Sequence, residues 1–219
     1  MNNNLCIVSD FDGTITERDG LYTFIQMYAV GDWEKIEQEW AEGKINSKEC
    51  LIEEFKLIPN LSEQLIDEFV KILKIDEYFI EFYNRIKHNN IDFYIVSDGI
   101  DYFIDRILYK YGLENIKIVS NHGEFVNGKF VITFPNDNTE CKNNAGTCKC
   151  KILENLRNKY SKICYIGDGV SDYCVADKAD VLFAKSRLAK YAKEHNIEYI
   201  PYKNFSSITN HYSSCGSIA

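Results

Sequence analysis

Five short apolar runs punctuate the chain: Leu5–Ser9, Phe93–Ser97, Ile116–Ser120, Ile163–Ile166 and Val181–Phe183. Each is rich in β-branched or aromatic residues and apolar on both faces, as strands buried inside a parallel sheet are. Amphipathic stretches separate most of them. Phe103, Ile104, Ile107, Leu108 and Tyr111 keep the three-four spacing of one buried helical stripe, and Gly112 is placed to cap it. Leu153 and Leu156 repeat the pattern more weakly after Cys150. Strand and helix in alternation predict an α/β architecture, a parallel sheet covered by helices on both faces.

Residues 17–88 hold no comparable strand and read as helices instead. Asn46 and Glu49 have capping-box spacing ahead of Leu51, Phe55 and Ile58, and Pro59 stops that helix. Ser62 is placed to cap the next, whose Leu65, Phe69 and Leu73 stack beside Ile66 and Val70. Tyr78, Phe79, Phe82, Tyr83 and Ile86 form a third stripe. A crossover between parallel strands needs one helix, so 17–88 is expected to be a small helical domain inserted after the first strand. Residues 1–16 and 89–219 then make the sheet domain. A second insertion is expected at Glu124–Phe134, a hairpin turning on Asn127-Gly128. No internal repeat is visible.

Composition narrows the class. The chain has 219 residues, 45% hydrophobic and 26% charged, so it is neither disordered nor low in complexity. Its net charge of −8 argues against nucleic acid or an anionic membrane as partner, since both attract basic surfaces. No apolar run approaches the roughly 18 residues of a membrane span. Met1 to Asn4 lack the basic region of an export signal, and Asp10 interrupts the only nearby apolar stretch. Several of the eight cysteines, Cys6 and Cys164 among them, fall within apolar segments, where a thiol behaves as a small hydrophobe. A reduced, cytoplasmic chain, monomer or homodimer, is the expectation.

The candidate chemistry gathers where the strands end. The first strand ends in Asp10-Phe11-Asp12-Gly13-Thr14, with Asp10 and Asp12 on one side of an extended segment. Two carboxylates there repel each other and need a cation or a shared proton. Taken alone, Asp-Gly is as readily an ordinary turn. The second strand, however, finishes in Ser97-Asp98-Gly99, and the fourth in Gly167-Asp168-Gly169-Val170-Ser171-Asp172, while Lys149 opens a helical stretch between them. In a parallel sheet these strand ends converge on one crevice, where ligands of open α/β sheets sit.

Those residues, in that order, resemble the haloacid-dehalogenase-like hydrolases, whose four motifs match Asp10-x-Asp12-Gly13-Thr14, Ser97, Lys149 and Gly167-Asp168-Gly169-x-x-Asp172. The resemblance implies a Rossmann-like core, with the helical insert as a cap domain arranged as in phosphoserine phosphatases. It further implies a Mg²⁺-dependent phosphatase acting on a small phosphorylated metabolite. Asp10 would be the nucleophile that becomes an aspartyl phosphate, and Asp12 the general acid and base. Asp10, the Asp12 carbonyl and Asp168 would hold Mg²⁺, with Asp172 orienting a metal-bound water or Lys149. Ser97 and the Gly99 amide, beside Asp98, would bind phosphoryl oxygens, and Lys149 would neutralise charge.

Substrate choice is expected to lie in the cap and in Asp19. Phosphoserine phosphatases use a cap acid and a cap arginine. Asp19 fits the acid, but the helix Ser47–Phe55 carries no arginine. The wording around Ser97-Asp98-Gly99 and Gly146-x-Cys148-Lys149 is closer to methionine-salvage phosphatases and to phosphocholine and phosphoethanolamine phosphatases. Phosphoserine phosphatase and phosphotransferase or phosphomutase activity are the alternatives on this fold. A phospho-accepting receiver-like regulator is the alternative of another class, disfavoured by Asp12 and the helical insert. Cys141, Cys148 and Cys150 suggest zinc, but the spacing is irregular and no histidine is near, so three incidental thiols are the expectation. His122 is expected in a solvated loop.

Overall fold

In the computed structural model, which describes residues 4–141 and 144–214, the five apolar runs lie side by side. Cys215 and the first three residues lie outside the described residues. The first run is β1 (Leu5–Ser9), followed by four helices, α1 (Gly20–Tyr28), α2 (Trp33–Ala41), α3 (Ser47–Lys56) and α4 (Glu63–Ile72). Then come α5 (Phe79–His88), β2 (Asp92–Ile100), α6 (Asp101–Lys110), β3 (Lys117–Val126) and β4 (Lys129–Thr133). The chain continues through α7 (Lys149–Arg157), β5 (Lys162–Gly167), a 3₁₀ turn (Val170–Val175) and β6 (Val181–Ala184). It closes with α8 (Ser186–Glu194), β7 (Ile200–Pro201) and α9 (Phe205–Ser214).

Among the described residues the strands form one sheet in the order β4-β3-β2-β1-β5-β6-β7. All pairs are parallel except β3 with β4. The period-two alternation of a strand sorts its side chains onto two faces. Ile7, Phe93, Ile95, Cys164 and Ile166 enter one buried cluster with Phe79 and Phe82 of α5 and Phe205 of α9. Cys6, Val8, Val96, Ile163 and Tyr165 enter the other with Leu153 of α7 and Leu188 of α8. Both faces are therefore covered, which is why these runs are apolar throughout. Ser9 pairs with Ile95 and with Ile166, so the carboxyl ends of β2, β1 and β5 open at one level.

The helices follow local rules. Asn46 accepts from the amides of Lys48 and Glu49 while Glu49 reaches back to the Asn46 amide, a complete capping box on α3. Ser62 Oγ accepts from the Leu65 amide at the start of α4. Gly112, with φ of 69°, follows the end of α6.

Three features depart from the sequence reading. The insert has no separate core: Phe24 lies 4.9 Å from both Phe69 and Phe103, and Phe55 stacks on Phe130 of β4 at 5.5 Å. Helix α5 packs on the sheet instead of on α1–α4, through Phe79 and Phe82 against Phe93 and Phe205. Finally, β3 does not stop at Ser120 but runs on into the hairpin, so His122 lies within a strand. The polar residues that hid this are satisfied there. Asn121 donates to the Asp98 carbonyl at 2.6 Å, and the Gly123 amide donates to Asp101. His122 pairs with Asp101 at 2.7 Å, which holds its pKa above the ordinary value. It lines a cavity separate from the one at the strand ends. The hairpin turns as expected, with Asn127 and Gly128 at φ of 51° and 76°. No helix among the described residues is long and apolar enough to cross a membrane.

Candidate active site

Asp10 directly follows β1 and its amide donates to the Ile166 carbonyl of β5. The chain then turns sharply: the amides of Thr14, Ile15 and Thr16 all donate to the Phe11 carbonyl, and Gly13 takes a φ of 71°. Phe11 is buried in the core, and Asp10 and Asp12 both face the cavity at the strand ends. A Cβ on Gly13 would sit 2.8 Å from Asp168 Oδ2, so glycine also admits the facing carboxylate.

Lys149, at the first turn of α7, is 1% exposed. Its Nζ donates to Asp10 Oδ1 at 2.8 Å, Asp172 Oδ1 at 2.6 Å and Ser171 Oγ at 3.0 Å. An ammonium has three protons, and all three are engaged by protein. Burial alone would lower its pKa, but Asp10 and Asp172 outweigh that and raise it, so Lys149 stays charged. Asp172 is equally saturated. Its Oδ1 also accepts from Tyr165, and its Oδ2 from the amides of Asp168 and Gly169. It positions Lys149 and the 168–169 turn and has little left to offer a ligand. Asp168 accepts from the Thr14 hydroxyl at 2.9 Å.

Asp12 is wedged between two glycines. Its Oδ1 accepts from the Gly20 amide at 2.8 Å, and a Cβ on Gly99 would lie 2.6 Å from its Oδ2. Burial, then the nearby Asp19 charge, push its carboxyl up to about 8. Ser97 Oγ accepts from the Gly99 amide at 3.0 Å, so that amide points at Ser97 and not into the cavity. The accepted bond leaves the Ser97 hydroxyl proton available to a ligand. Asp98 accepts from the amide of Thr147 and from Asn121, which commits it to the 145–147 loop. Asp98 also lines the cavity, and burial raises its pKa. Asp19 caps α1 through the Tyr22 amide and still lines the cavity.

Oxygens of Asp10, Asp168 and Asp172 lie within 4.8 Å of one another. Burial first, and then Asp172, push Asp168 up to about 6, and burial likewise raises Asp10 against the pull of Lys149. Three crowded carboxylates with one ion-paired lysine carry surplus negative charge, and hard oxygen donors of this kind suit a cation such as Mg²⁺. With Asp172 committed to Lys149 and the 168–169 turn, Asp10 and Asp168 are the carboxylates left to hold a divalent metal.

The cavity, about 350 Å³, is closed on its other side by Leu21, Tyr22, Glu37, Trp40, Cys50 and Glu54 of the helical insert. Arg187 of α8 enters it too, next to Ser186, whose φ of 49° is in the left-handed region. Sequence reading missed Glu37, Trp40, Glu54 and Arg187. The strand-end rule finds Arg187 when extended one strand further, since Lys185-Ser186-Arg187 follows β6. Arg187 thus places a cation on the sheet side of the cavity.

A doubly covered parallel sheet of this order has counterparts among solved structures. A HAD family hydrolase from Salmonella enterica serovar Typhi superposes with a TM-score of 0.72 at 19% identity, over 92% of this chain and 68% of that one. A substrate-bound phosphoserine phosphatase gives 0.71 at 20% identity, over 96% and 99%. The fold is that of the haloacid-dehalogenase-like hydrolases, and the class is phosphatase. The chain belongs to the family described as "Putative Phosphatase", whose profile matches residues 5–199. Among its relatives, the 2-hydroxy-3-keto-5-methylthiopentenyl-1-phosphate phosphatase of Brevibacillus brevis is 31% identical over 95% of both chains. The protein of the same name from Geobacillus thermodenitrificans is 29% identical over the whole of both.

Proposed function

We propose that the chain is a Mg²⁺-dependent phosphomonoesterase that hydrolyses a small phosphorylated metabolite through an aspartyl phosphate on Asp10, under a cap formed by the helical insert. The observation that carries this reading is the meeting of Asp10, Asp168 and Asp172 at the edge of the sheet, with Lys149 paired to Asp10 and Asp172. A carboxylate oxygen of Asp10 attacks phosphorus, the bond from phosphorus to the leaving oxygen breaks, and Asp12 gives that oxygen its proton. Water then attacks the aspartyl phosphate, Asp12 takes the water's proton, and phosphate departs as the Asp10 carboxylate is restored. Ser97 donates its hydroxyl to a phosphoryl oxygen. Lys149 fixes Asp10 and offsets charge around it. Asp10, the Asp12 carbonyl and Asp168 are the residues that would hold Mg²⁺, which, when bound, draws charge from the phosphoryl oxygens.

Magnitudes rank these contributions. Enzymatic acceleration of phosphomonoester hydrolysis reaches roughly 10²¹-fold, about 28 kcal/mol. A general acid supplies about 10²–10⁴-fold, or about 3–5 kcal/mol. Positioning and electrostatics supply the rest. The test is chemical trapping: rapid quenching during turnover, borohydride reduction and peptide mass spectrometry locate the acyl phosphate at Asp10, and Asp10→Asn abolishes both label and turnover. A label that stays on Asp10 without phosphate release, as in a receiver, defeats the proposal.

For the substrate, the names of the relatives support 2-hydroxy-3-keto-5-methylthiopentenyl-1-phosphate. One observation favours a second reading, a phosphorylated amino alcohol. Glu54 is 5% exposed, lines the cavity beside Glu37 and Asp19, and its Oε1 has no hydrogen-bond donor. A primary ammonium on the leaving group has the N–H to fill that place, whereas the trimethylammonium of a choline brings only its charge. Phosphate release from the keto-enol phosphate and from phosphoethanolamine and phosphocholine, compared as kcat/KM, separates the two.

A further inference from the structure

The three cysteines flanking Lys149 in sequence acquire a fourth in space. Cys174, carried by the 3₁₀ turn after β5, brings its Sγ within 4.8 Å of those of Cys141 and Cys150. Cys141 Sγ and Cys150 Sγ are 3.4 Å apart, and Cys148 Sγ and Cys150 Sγ are 3.9 Å apart. We propose that Cys141, Cys150 and Cys174 hold one zinc ion, with Cys148, whose Sγ lies near Cys150 but outside that trio in this structure, turning its side chain in as the fourth thiolate, at a site distinct from the carboxylate cluster.

Geometry and chemistry both support the assignment. Zinc–sulfur bonds of about 2.3 Å in a tetrahedron place neighbouring sulfurs about 3.8 Å apart; the Cys141–Cys150 and Cys148–Cys150 separations bracket that value, and Cys174 Sγ lies within 4.8 Å of those of Cys141 and Cys150. No histidine is needed where four cysteines are at hand. Asn138 Nδ2 donates to Cys148 Sγ at 3.7 Å, the kind of outer partner that orients a ligating thiolate. Cys148 is the N-cap of α7 and makes no side-chain capping bond, and Cys150 lies in the first turn of that helix.

The position gives the site a purpose. Lys149 lies between Cys148 and Cys150, while Ser171 and Asp172, its Nζ partners, share the 3₁₀ turn with Cys174. Cys141 belongs to the loop that returns to α7, where the Cys148 amide donates to the Asn136 carbonyl. One ion would therefore bind together the segments that enclose the buried ammonium. Its role is positioning: it touches no reacting atom.

The experiment uses the full chain, purified under reductant with zinc in the medium. Elemental analysis is expected to find about one zinc per chain. Co²⁺ put in its place should give intense thiolate-to-metal charge transfer and tetrahedral d–d bands, neither of which an oxygen-ligated ion in the carboxylate cluster produces. Bound zinc should shield four thiols from Ellman's reagent. Cys174→Ser should weaken zinc by more than the roughly 10–100-fold that loss of an outer partner costs, while Cys164→Ala keeps its zinc. If Cys174→Ser does not fold, cobalt titration of the demetallated wild type answers the same question. The site is overturned by zinc content near zero together with no charge-transfer band, by a disulfide among the four in freshly reduced protein, or by undiminished zinc affinity in folded Cys174→Ser.

Discussion

Asp12 has room only because residues 20 and 99 lack side chains, so the general acid of the proposed mechanism is tunable from outside itself. In Gly99→Ala, the new methyl at 2.6 Å from Oδ2 displaces the carboxyl, which Gly20 pins from the other side. The expected result is a kcat lowered toward the roughly 10²–10⁴-fold cost of losing a general acid, with little change in melting temperature; steady-state kinetics beside calorimetry check it. Asp172→Asn should act on stability as well. It removes a fully buried charge that Lys149 needs, and breaking such a pair costs about 3–5 kcal/mol, read by urea unfolding. At this scale the sequence was informative where chemistry sits on strand ends: Asp10, Asp12, Ser97, Lys149, Asp168 and Asp172 all meet. Glu37, Trp40 and Glu54 were hidden because their helices can present any face until tertiary packing decides. Gly99 was read as an amide donor to phosphate, whereas the fold spends that amide on Ser97.

Helix α3 presents Cys50, Leu51 and Glu54 to the cavity, and its entry depends on Asn46. Asn46→Ala removes both cap bonds and is expected to cost about 1 kcal/mol, seen as a lower melting temperature. At the amino end of the sheet Asp92 joins β2 to β3 through Lys117 and to the segment before β5 through Tyr160. The Lys117 hydrogen bond first, and then that of Tyr160, hold its carboxyl down to about 2. Since the unfolded chain takes up that proton more readily, Asp92 stabilises fully above about pH 4, and the effect fades as pH falls through about 2. The stability difference between wild type and Asp92→Asn, from urea titrations, should stay level from about pH 7 to 5 and narrow below about pH 4. Elements with a strong apolar period were legible, and so was the Asn127-Gly128 turn. Helix α2 buries none of its residues and β7 has two residues, so neither writes a pattern. The continuation of β3 was masked by Asn121 and His122, whose partners Asp98 and Asp101 lie on another strand and helix.

For the molecule as a whole, the proposed cation dependence predicts that chelation brings phosphate release to background and that Mg²⁺ restores it, followed by a colorimetric phosphate assay. Chelated protein should keep its helical signal, because the sheet does not rest on the carboxylate cluster. The parallel sheet was readable from β1, β2, β5 and β6, but the merging of the insert with α6 and the hairpin through Phe24, Phe55, Phe103 and Phe130 was not, since aromatic stripes do not name their partners. Strand order carries one more consequence, for synthesis. Of the sheet's strands among the described residues, the first to be synthesised is the innermost, and its neighbour β5 begins at Lys162. At roughly 5–20 residues per second, one flank of Leu5–Ser9 waits about 8–30 s for its mate. During that interval the nascent chain bears an open, greasy template for foreign strands, and the helices made in between are its available shelter.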